Sequence, residues 1–338
     1  YDQVNSAEDF YQSAVSFGNF QRLLAGFDAS KLYETIPNFH NTPVRFANLM
    51  AAVKEDKCGR LSEVVAEVDF CKAREEFAAT LEKAREAGDL PLKVTHNDTK
   101  LNNVLFDIKT DKGICVIDLD TIMPGLSLYD FGDSIRSGAN KAAEDETDLS
   151  KVGIDLALFE AYADGFLSET AESLCDAEIE NLAFGAKLMT FECGMRFLTD
   201  YLSGDTYFAT KYPGHNLVRC RTQIRLASEM EAQETEMKKI IAAGEVLGHI
   251  EIAGGTSGHA ELIAAADFEF PVAKYEQPAI GIPEPGFVYA PVVQGTDAGK
   301  VYICVDDKVL GTCPVVYGQT VEQIKPEKKS FWQRLFGR

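Results

Sequence analysis

Apolar residues recur every three or four positions along most of the first 240 residues, a spacing typical of helices that bury one face. Ser6 followed by Asp9 is typical of a capping box at the start of the first helix. Thr42 followed by Pro43 predicts the cap and first turn of the second. The pattern predicts helices at about residues 7–26, 44–53, 63–87, 130–138, 154–168, 176–203 and 216–242.

Beyond residue 243 the pattern changes to short apolar strands separated by turns. Residues 244–252 and 295–303 share a Gly-x3-Gly-x-apolar-x-Ile frame, and second strands follow at 260–264 and 311–316. This internal repeat predicts a small β domain of two related hairpins.

Three regions follow from these patterns: a helical domain at residues 1–242, a β domain at 243–324 and a basic amphipathic tail at 325–338. The tail places aromatic and leucine side chains among Lys and Arg: Phe331, Trp332, Leu335 and Phe336. Such a segment suits weak contact with a membrane interface. The alternatives are a short helix packed on its own domain and a frayed terminus.

Two short apolar runs, residues 104–106 and 114–117, interrupt the helical pattern, and turn-forming residues 109–113 join them. They predict a β-hairpin. The predicted fold class is therefore α+β: a mainly helical lobe with one hairpin, followed by a small all-β domain.

Polar residues stand at the end of this hairpin where phosphoryl-transfer chemistry needs them. Asp98 would take or orient the proton of an acceptor hydroxyl, and Asn103 and Asp118 would offer oxygens to a magnesium ion beside the phosphates of ATP. Each residue alone is a common turn former. The combination predicts a kinase-type catalytic loop.

His96 precedes Asp98 by two residues. Because Asp98 already fills the role of base, we expect His96 to be a buried, hydrogen-bonding support of the loop.

Composition narrows the partners and the compartment. A net charge of −20 argues against nucleic acid, which needs a basic footprint, and the acidic run at residues 144–148 is predicted to be solvated. The eight cysteines form no Cys-x-x-Cys pair, which indicates reduced, mostly buried thiols in a cytoplasmic protein. No run of eighteen apolar residues occurs.

The pattern His96-x-Asp98-x4-Asn103, with Asp118 and then Asp-Phe-Gly-Asp-x2-Arg at 130–136, resembles the aminoglycoside phosphotransferase and choline kinase superfamily. The sequences of residues 95–100 and 123–127 are similar to those of bacterial N-acetylhexosamine 1-kinases. The resemblance covers about residues 1–240.

This resemblance implies a protein-kinase-like C-terminal lobe that uses ATP and magnesium to phosphorylate the anomeric hydroxyl of an N-acetylhexosamine. It also implies that Arg196 and Tyr207 contact the sugar. The alternative for Arg196 is that it snorkels or pairs with an acid. Ser137 stands where the family would place an aromatic residue, which leaves the sugar open.

Kinases of this superfamily have an N-terminal lobe with a glycine-rich loop and a strand-borne lysine, and neither is present in this sequence. We therefore expect that this sequence either is a fragment of a longer product or has lost half of its ATP site. The genomic sequence upstream of Tyr1 would distinguish these two cases.

Residues 243–338 resemble the C-terminal β domain and tail of D-alanyl-D-alanine carboxypeptidases, most clearly at 289–295, 308–316 and 330–336. The Ser-x-x-Lys and Lys-Thr-Gly motifs of peptidase chemistry are absent from the sequence. Two alternatives to the N-acetylhexosamine kinase remain: a non-catalytic envelope or scaffold protein that works through the β domain, and a kinase of choline, an aminoglycoside or homoserine.

Overall fold

The computed structural model describes residues 4–243, 246–257, 259–265, 279–281, 287–305 and 308–323. The chain forms two compact units, Tyr1–Ile241 and Ala242–Arg338. The first is mainly helical and the second contains a sheet, which confirms the predicted α+β class. The predicted tail, residues 325–338, lies outside the described residues, and the assignment of functional domains to the two units remains a prediction.

The helices of the first unit have these bounds: α1 Ala7–Leu24, α2 Thr42–Glu55, α3 Val65–Lys72, α4 Glu75–Ala78, α5 Thr80–Ala87, α6 Ser127–Gly138, α7 Leu156–Thr170, α8 Asp176–Glu180, α9 Leu182–Ser203, α10 His215–Ala232 and α11 Glu234–Ala243. Ser6 caps α1 as predicted, with its hydroxyl accepting the Asp9 amide at 3.1 Å.

The predicted cap of α2 is wrong. Asn41, not Thr42, accepts the Val44 amide, at 3.1 Å. The Thr42 hydroxyl instead donates to the buried carboxylate of Glu192 at 2.6 Å. Thr42, which the local pattern assigned to the cap, therefore makes a long-range hydrogen bond instead.

A single helix at residues 63–87 is also wrong, because α3, α4 and α5 are separate. Arg74, between α3 and α4, has φ −117° and ψ 22°, outside the helical range. Its guanidinium stacks on the Phe70 ring and pairs with Glu231 of α10 at 2.7 Å. This tertiary pairing interrupts a segment whose local composition favours a helix.

Four short strands surround the predicted site. β2 Val104–Phe106 pairs with β3 Gly113–Val116, which confirms the hairpin. β1 Lys93–Thr95 pairs with β4 Met123–Gly125, a pairing that sequence periodicity missed because each strand has only three residues.

The first unit has two apolar cores. One gathers around Phe131, Tyr162 and Phe166, whose rings contact one another, and joins α1, α6 and α7. The other gathers around Leu49 and Phe191 and joins α2 to α9. Helix α9 lies in both cores and so connects the cleft described below to most of the unit.

The second unit contains β5 Val246–Ala253, β6 His259–Ala264, β7 Ala279–Gly281, β8 Phe287–Tyr289, β9 Asp297–Val305 and β10 Lys308–Tyr317. The strand order is β7-β9-β10-β6-β5-β8. The repeat segments form two antiparallel hairpins, β5–β6 and β9–β10, and their second strands pair antiparallel at the centre of the sheet.

Within the described ranges, no helix has the length and apolar character that crossing a membrane requires. All eight cysteines are free thiols. The expectation that most are buried is wrong, because Cys58, Cys115 and Cys175 are exposed and only Cys71, Cys220 and Cys313 are buried.

Candidate active site

The loop after β1 holds Asp98 and Asn103 together. The Asn103 side-chain amide donates to the Asp98 carbonyl at 2.8 Å and to its Oδ2 at 3.1 Å. Asn103 is buried and Asp98 is partly exposed. Because both donated bonds use the Asn103 nitrogen, the amide oxygen is left for another partner such as a cation.

Asp118 lies two residues after the end of β3, and a backbone hydrogen bond of its neighbour Ile117 brings it near Asn103. The amide of Ile117 donates to the Asn103 carbonyl at 2.9 Å, and Asp118 comes directly after it. Asp118 has a left-handed backbone with φ 63°, and its side chain is exposed. One anionic and one neutral oxygen donor suit magnesium, which prefers oxygen ligands and keeps several waters. Within the described ranges, no group of three or more His, Cys, Asp or Glu side chains is placed to hold a metal ion.

His96 is fully buried and serves the backbone of the hairpin. Its Nε2 lies 2.9 Å from the Ile117 carbonyl, and the Asp98 amide donates to its Nδ1 at 3.3 Å. These partners assign the proton to Nε2 and leave neither ring nitrogen for an acceptor hydroxyl. His96 is thus buried and hydrogen-bonded within the loop, and its role as a support of catalysis stays a prediction.

Asp130, on α6, organises the backbone of the same loop. Its carboxylate accepts the amides of His96 at 2.9 Å and Asn97 at 2.7 Å, together with the side-chain amide of Gln21 at 2.8 Å. Burial raises the pKa of Asp130, and the three donated bonds oppose that rise. Asn97 has φ 66°, so the carboxylate stabilises a sharp turn directly before Asp98.

One helical turn later, Asp133 links the loop to two cations. Its Oδ2 accepts the Thr99 amide at 3.1 Å, and its Oδ1 accepts Arg136 Nε at 2.9 Å. Burial raises the pKa of Asp133, but the charges of Arg136 and Lys100 outweigh burial and lower it. Lys100 Nζ lies 2.5 Å from Asp98 Oδ1, which places a positive charge beside the predicted base.

A cleft of about 460 Å³ opens beside this loop. It brings the predicted residue Asp98 together with Arg196 and Tyr207 in one cavity, although more than ninety residues separate them in the chain. Asn103 and Asp118 are not among the residues that line it.

Aromatic rings hold Arg196 in this cleft. Its guanidinium carbon lies 5.2 Å from the ring centre of Phe39, 6.0 Å from Tyr207 and 5.5 Å from Phe208. Tyr207 is 67% exposed and can therefore contact a ligand without rearrangement. Arg196 thus lines the cleft beside three aromatic rings, and within residues 4–243 it forms no ion pair with a carboxylate.

A buried acid on α9, absent from the sequence predictions, lines the same cleft. Glu192 accepts from His40 Nδ1 at 2.8 Å and from the Thr42 hydroxyl at 2.6 Å. Burial raises the pKa of Glu192, but the hydrogen bond and charge of His40 outweigh it and hold the pKa below its usual value. Local sequence patterns did not indicate this role of Glu192, because His40 and Thr42 lie about 150 residues away from it in the chain.

The acidic segment at residues 144–148 was predicted to be solvated, and this prediction is wrong for its first two residues. Glu144 pairs with buried Arg136 at 2.9 Å and lines the cleft. Asp145 contacts the buried ring of His215 at 3.1 Å. Arg136 of α6 and His215 of α10 therefore bind the first two residues of this run, and Glu144 becomes part of the cleft wall.

Residues 2–164 match the Phosphotransferase enzyme family. Residues 236–323 match the C-terminal domain of penicillin-binding protein 5. Both resemblances are thereby confirmed at the level of the family, and the closer likeness to N-acetylhexosamine 1-kinases stays a prediction.

Among solved structures, the chain is similar to Plasmodium vivax ethanolamine kinase Pv091845, with 14% identity and a TM-score of 0.41. The alignment covers 66% of this chain and 62% of the kinase. The chain thus spans less than two thirds of that relative.

Proposed function

From the match of residues 2–164 to the phosphotransferase enzyme family, we propose that this chain carries the catalytic lobe of an ATP- and magnesium-dependent small-molecule kinase. We propose that its acceptor is the anomeric hydroxyl of an N-acetylhexosamine. The observation that carries the proposal is the position of Asp98, which Asn103 holds at the edge of the 460 Å³ cleft that contains Arg196 and Tyr207.

Asp98 takes or orients the proton of the acceptor hydroxyl. Its Oδ2 bond to Asn103 and its Oδ1 contact with Lys100 fix the carboxylate in one orientation. Burial lowers the pKa of Lys100, but Asp133 and Asp98 outweigh burial and raise it, so the lysine remains cationic. A positive charge at this point favours the negative charge that develops on the transferring phosphoryl group.

Asn103 and Asp118 are the residues that would hold magnesium. The amide oxygen of Asn103 and the exposed carboxylate of Asp118 are the hard oxygen donors that this cation takes. A bound magnesium ion supplies positive charge to the nucleotide phosphates. Asp130 contributes indirectly, because it fixes the loop on which Asp98 stands.

The proposed sugar acceptor is supported by the polar groups and aromatic rings that line the cleft. Arg196 offers N–H donors to sugar hydroxyl or carbonyl oxygens, and Tyr207 offers an exposed ring and a hydroxyl. Phe39 lines the cleft beside them, although Ser137 replaces the expected aromatic residue. A neutral, hydroxyl-rich acceptor matches this mixture of ring faces and hydrogen-bonding groups.

The proposed partners are a nucleotide and a small sugar, with no nucleic acid, and the proposed compartment is the cytoplasm, where ATP is found. The match of residues 236–323 to a penicillin-binding protein domain favours a second candidate, a non-catalytic envelope or scaffold protein.

The test is an acceptor survey with the product of the whole gene. ATP, magnesium and each of N-acetylglucosamine, N-acetylgalactosamine, choline, homoserine and an aminoglycoside are supplied separately, and ADP release is measured with identification of the product. Sugar 1-phosphate formation supports the proposal. Transfer only to another acceptor rejects the sugar, and no transfer to any of them favours the scaffold candidate.

A further inference from the structure

A second pocket of about 200 Å³ adjoins the acceptor cleft. It shares Arg196, Tyr207 and Phe208 with the cleft, and Arg45 of α2 lies on its other side. The remaining lining residues are one acid, Asp200, and four hydroxyl or amide side chains: Asn48, Thr199, Ser203 and Thr206. This second pocket is called the arginine pocket below.

Two arginines, Arg45 and Arg196, line the arginine pocket. Arg45 donates through Nε and Nη2 to the Phe39 carbonyl, at 3.1 and 2.8 Å, which is a neutral acceptor. Arg196 lies against the aromatic rings described above, and its charge also acts on Glu192. Within residues 4–243, neither group forms an ion pair with a carboxylate.

The two carboxylates nearest these arginines are already engaged by other donors. Glu192, Arg196 and Asp200 lie four residues apart and so share one face of α9. Asp200 accepts the amides of Thr206, Tyr207 and Phe208 at 2.8 to 3.0 Å, and the side-chain amide of Asn216 at 2.8 Å. Glu192 is engaged by His40 and Thr42.

The arrangement keeps two positive charges close together in a partly buried place. Burial lowers the pKa of Arg45 and the charge of Arg196 lowers it further, while the charge of Glu192 opposes both effects without cancelling them. The whole chain carries a net charge of −20, yet within residues 4–243 neither of these two arginines forms an ion pair with an acid. A bound anion would offset both the desolvation and the mutual repulsion of these groups.

We propose that the arginine pocket binds a small oxyanion, a carboxylate or a phosphate, between Arg45 and Arg196. The oxyanion is either free in solution or borne by the acceptor, in which case the pocket extends the acceptor site and rests on the proposed function. Planar guanidinium groups bind both oxyanions through paired N–H donors, and the surrounding hydroxyls add neutral donors.

The test measures binding to the purified full chain without ATP, by isothermal titration calorimetry. The probes are inorganic phosphate, N-acetylglucosamine and N-acetylglucosamine 6-phosphate. Arg196→Met removes a side chain that makes ring contacts but no ion pair, and Arg196→Lys keeps its charge. Arg225→Met is the control, since Arg225 pairs with Glu229 on α10 outside both cavities.

We expect Arg196→Met to weaken oxyanion binding roughly ten- to a hundredfold, the range of a charge-assisted hydrogen bond. Arg196→Lys should lose less, and Arg225→Met should match the wild type. Arg45→Lys provides a second variant that keeps a cation at the pocket in case the Met variant does not fold.

Binding of inorganic phosphate alone assigns the pocket to a free oxyanion. Binding of the sugar phosphate, with much weaker binding of phosphate and of the neutral sugar, assigns it to an anionic acceptor. Equal affinity of all probes for wild type and Arg196→Met, or no binding of either phosphate-bearing probe, overturns the proposal. Since no turnover is measured, absence of kinase activity does not affect this result.

Discussion

His40 and Glu192, 152 residues apart in the sequence, are joined by a 2.8 Å hydrogen bond between Nδ1 and Oε1. The other ring nitrogen of His40 lies 3.1 Å from the carbonyl of Asn97, directly before Asp98. A carboxylate on α9 is therefore connected through one imidazole to the loop of the proposed base. Both partners of the ring are oxygen acceptors, one a carboxylate and one a backbone carbonyl.

Glu192→Gln should change how stability depends on pH. The pKa of Glu192 is lowered in the folded protein, so its carboxylate stabilises the fold above about pH 4.5, its ordinary value, and loses that effect as pH falls through the lowered pKa. Loss of this charged, buried hydrogen-bond acceptor costs about 1.5–3 kcal/mol near neutral pH. The stability gap between wild type and variant should shrink below about pH 4.5.

Urea unfolding between about pH 7 and pH 3.5 measures this gap, with the fold monitored by circular dichroism. Glu236→Gln, an exposed position on α11, is the control and should give a small, constant difference. A gap for Glu192→Gln that stays constant into acid would contradict the assignment of an ionised Glu192.

Asp98→Asn should remove most phosphoryl transfer from the product of the whole gene. The substitution keeps the shape of the side chain but removes the base, and effects of this kind are about 10²–10⁴-fold. The turnover number should fall by that factor, while the melting temperature stays within a few degrees of wild type. Asp107→Asn, in the turn at the far end of the hairpin, is the control. Turnover near the wild-type rate would reject Asp98 as the base.

Asp118→Ala should weaken magnesium-dependent nucleotide binding more than Asn103→Ala does. An anionic oxygen is the stronger ligand for a hard cation, whereas Asn103 supplies a neutral one. Asn103→Ala should instead lower the melting temperature more, because it removes two hydrogen bonds to Asp98 from a buried position.

Calorimetry with a non-hydrolysable ATP analogue, with and without magnesium, gives the order of affinities, and thermal unfolding gives the order of stabilities. Unchanged magnesium-dependent affinity in both variants would mean that these residues serve the loop alone.

Gly132→Ala should destabilise the first unit. A β-carbon at Gly132 would lie 2.5 Å from the carbonyl oxygen of Gly185, so α6 and α9 would have to separate. Forced repacking of this kind costs about 1–3 kcal/mol. Gly26→Ala is the matched control, because a β-carbon added at Gly26 would meet nothing within 4 Å. Thermal unfolding should show a loss for Gly132→Ala and little change for Gly26→Ala; equal behaviour of the two would contradict the close helix crossing.

The local features of the site were predictable from sequence. Asp98, Asn103 and Asp118 lie within 21 residues, and the apolar runs between them specify a hairpin by period and turn composition alone. Their catalytic and metal-binding roles remain predictions, as do the roles of Arg196 and Tyr207.

Features that depend on distant residues were not predictable. Asp130 was visible as part of a motif, but its bonds to His96 and Asn97 depend on how α6 packs against the loop. Thr42 does not cap α2, because its hydroxyl donates to Glu192, a residue 150 positions away. In each case the local preference is worth about 1 kcal/mol, which a buried tertiary bond can exceed.

The central pairing of β6 with β10 has a consequence for how the second unit could have arisen. Each hairpin contributes its second strand to the middle of the sheet, so each covers an edge that the other would otherwise expose. An uncovered strand edge is a template for association with another chain. One hairpin alone would therefore be expected to self-associate through this edge, and duplication within a single gene converts that contact between molecules into one inside the same molecule.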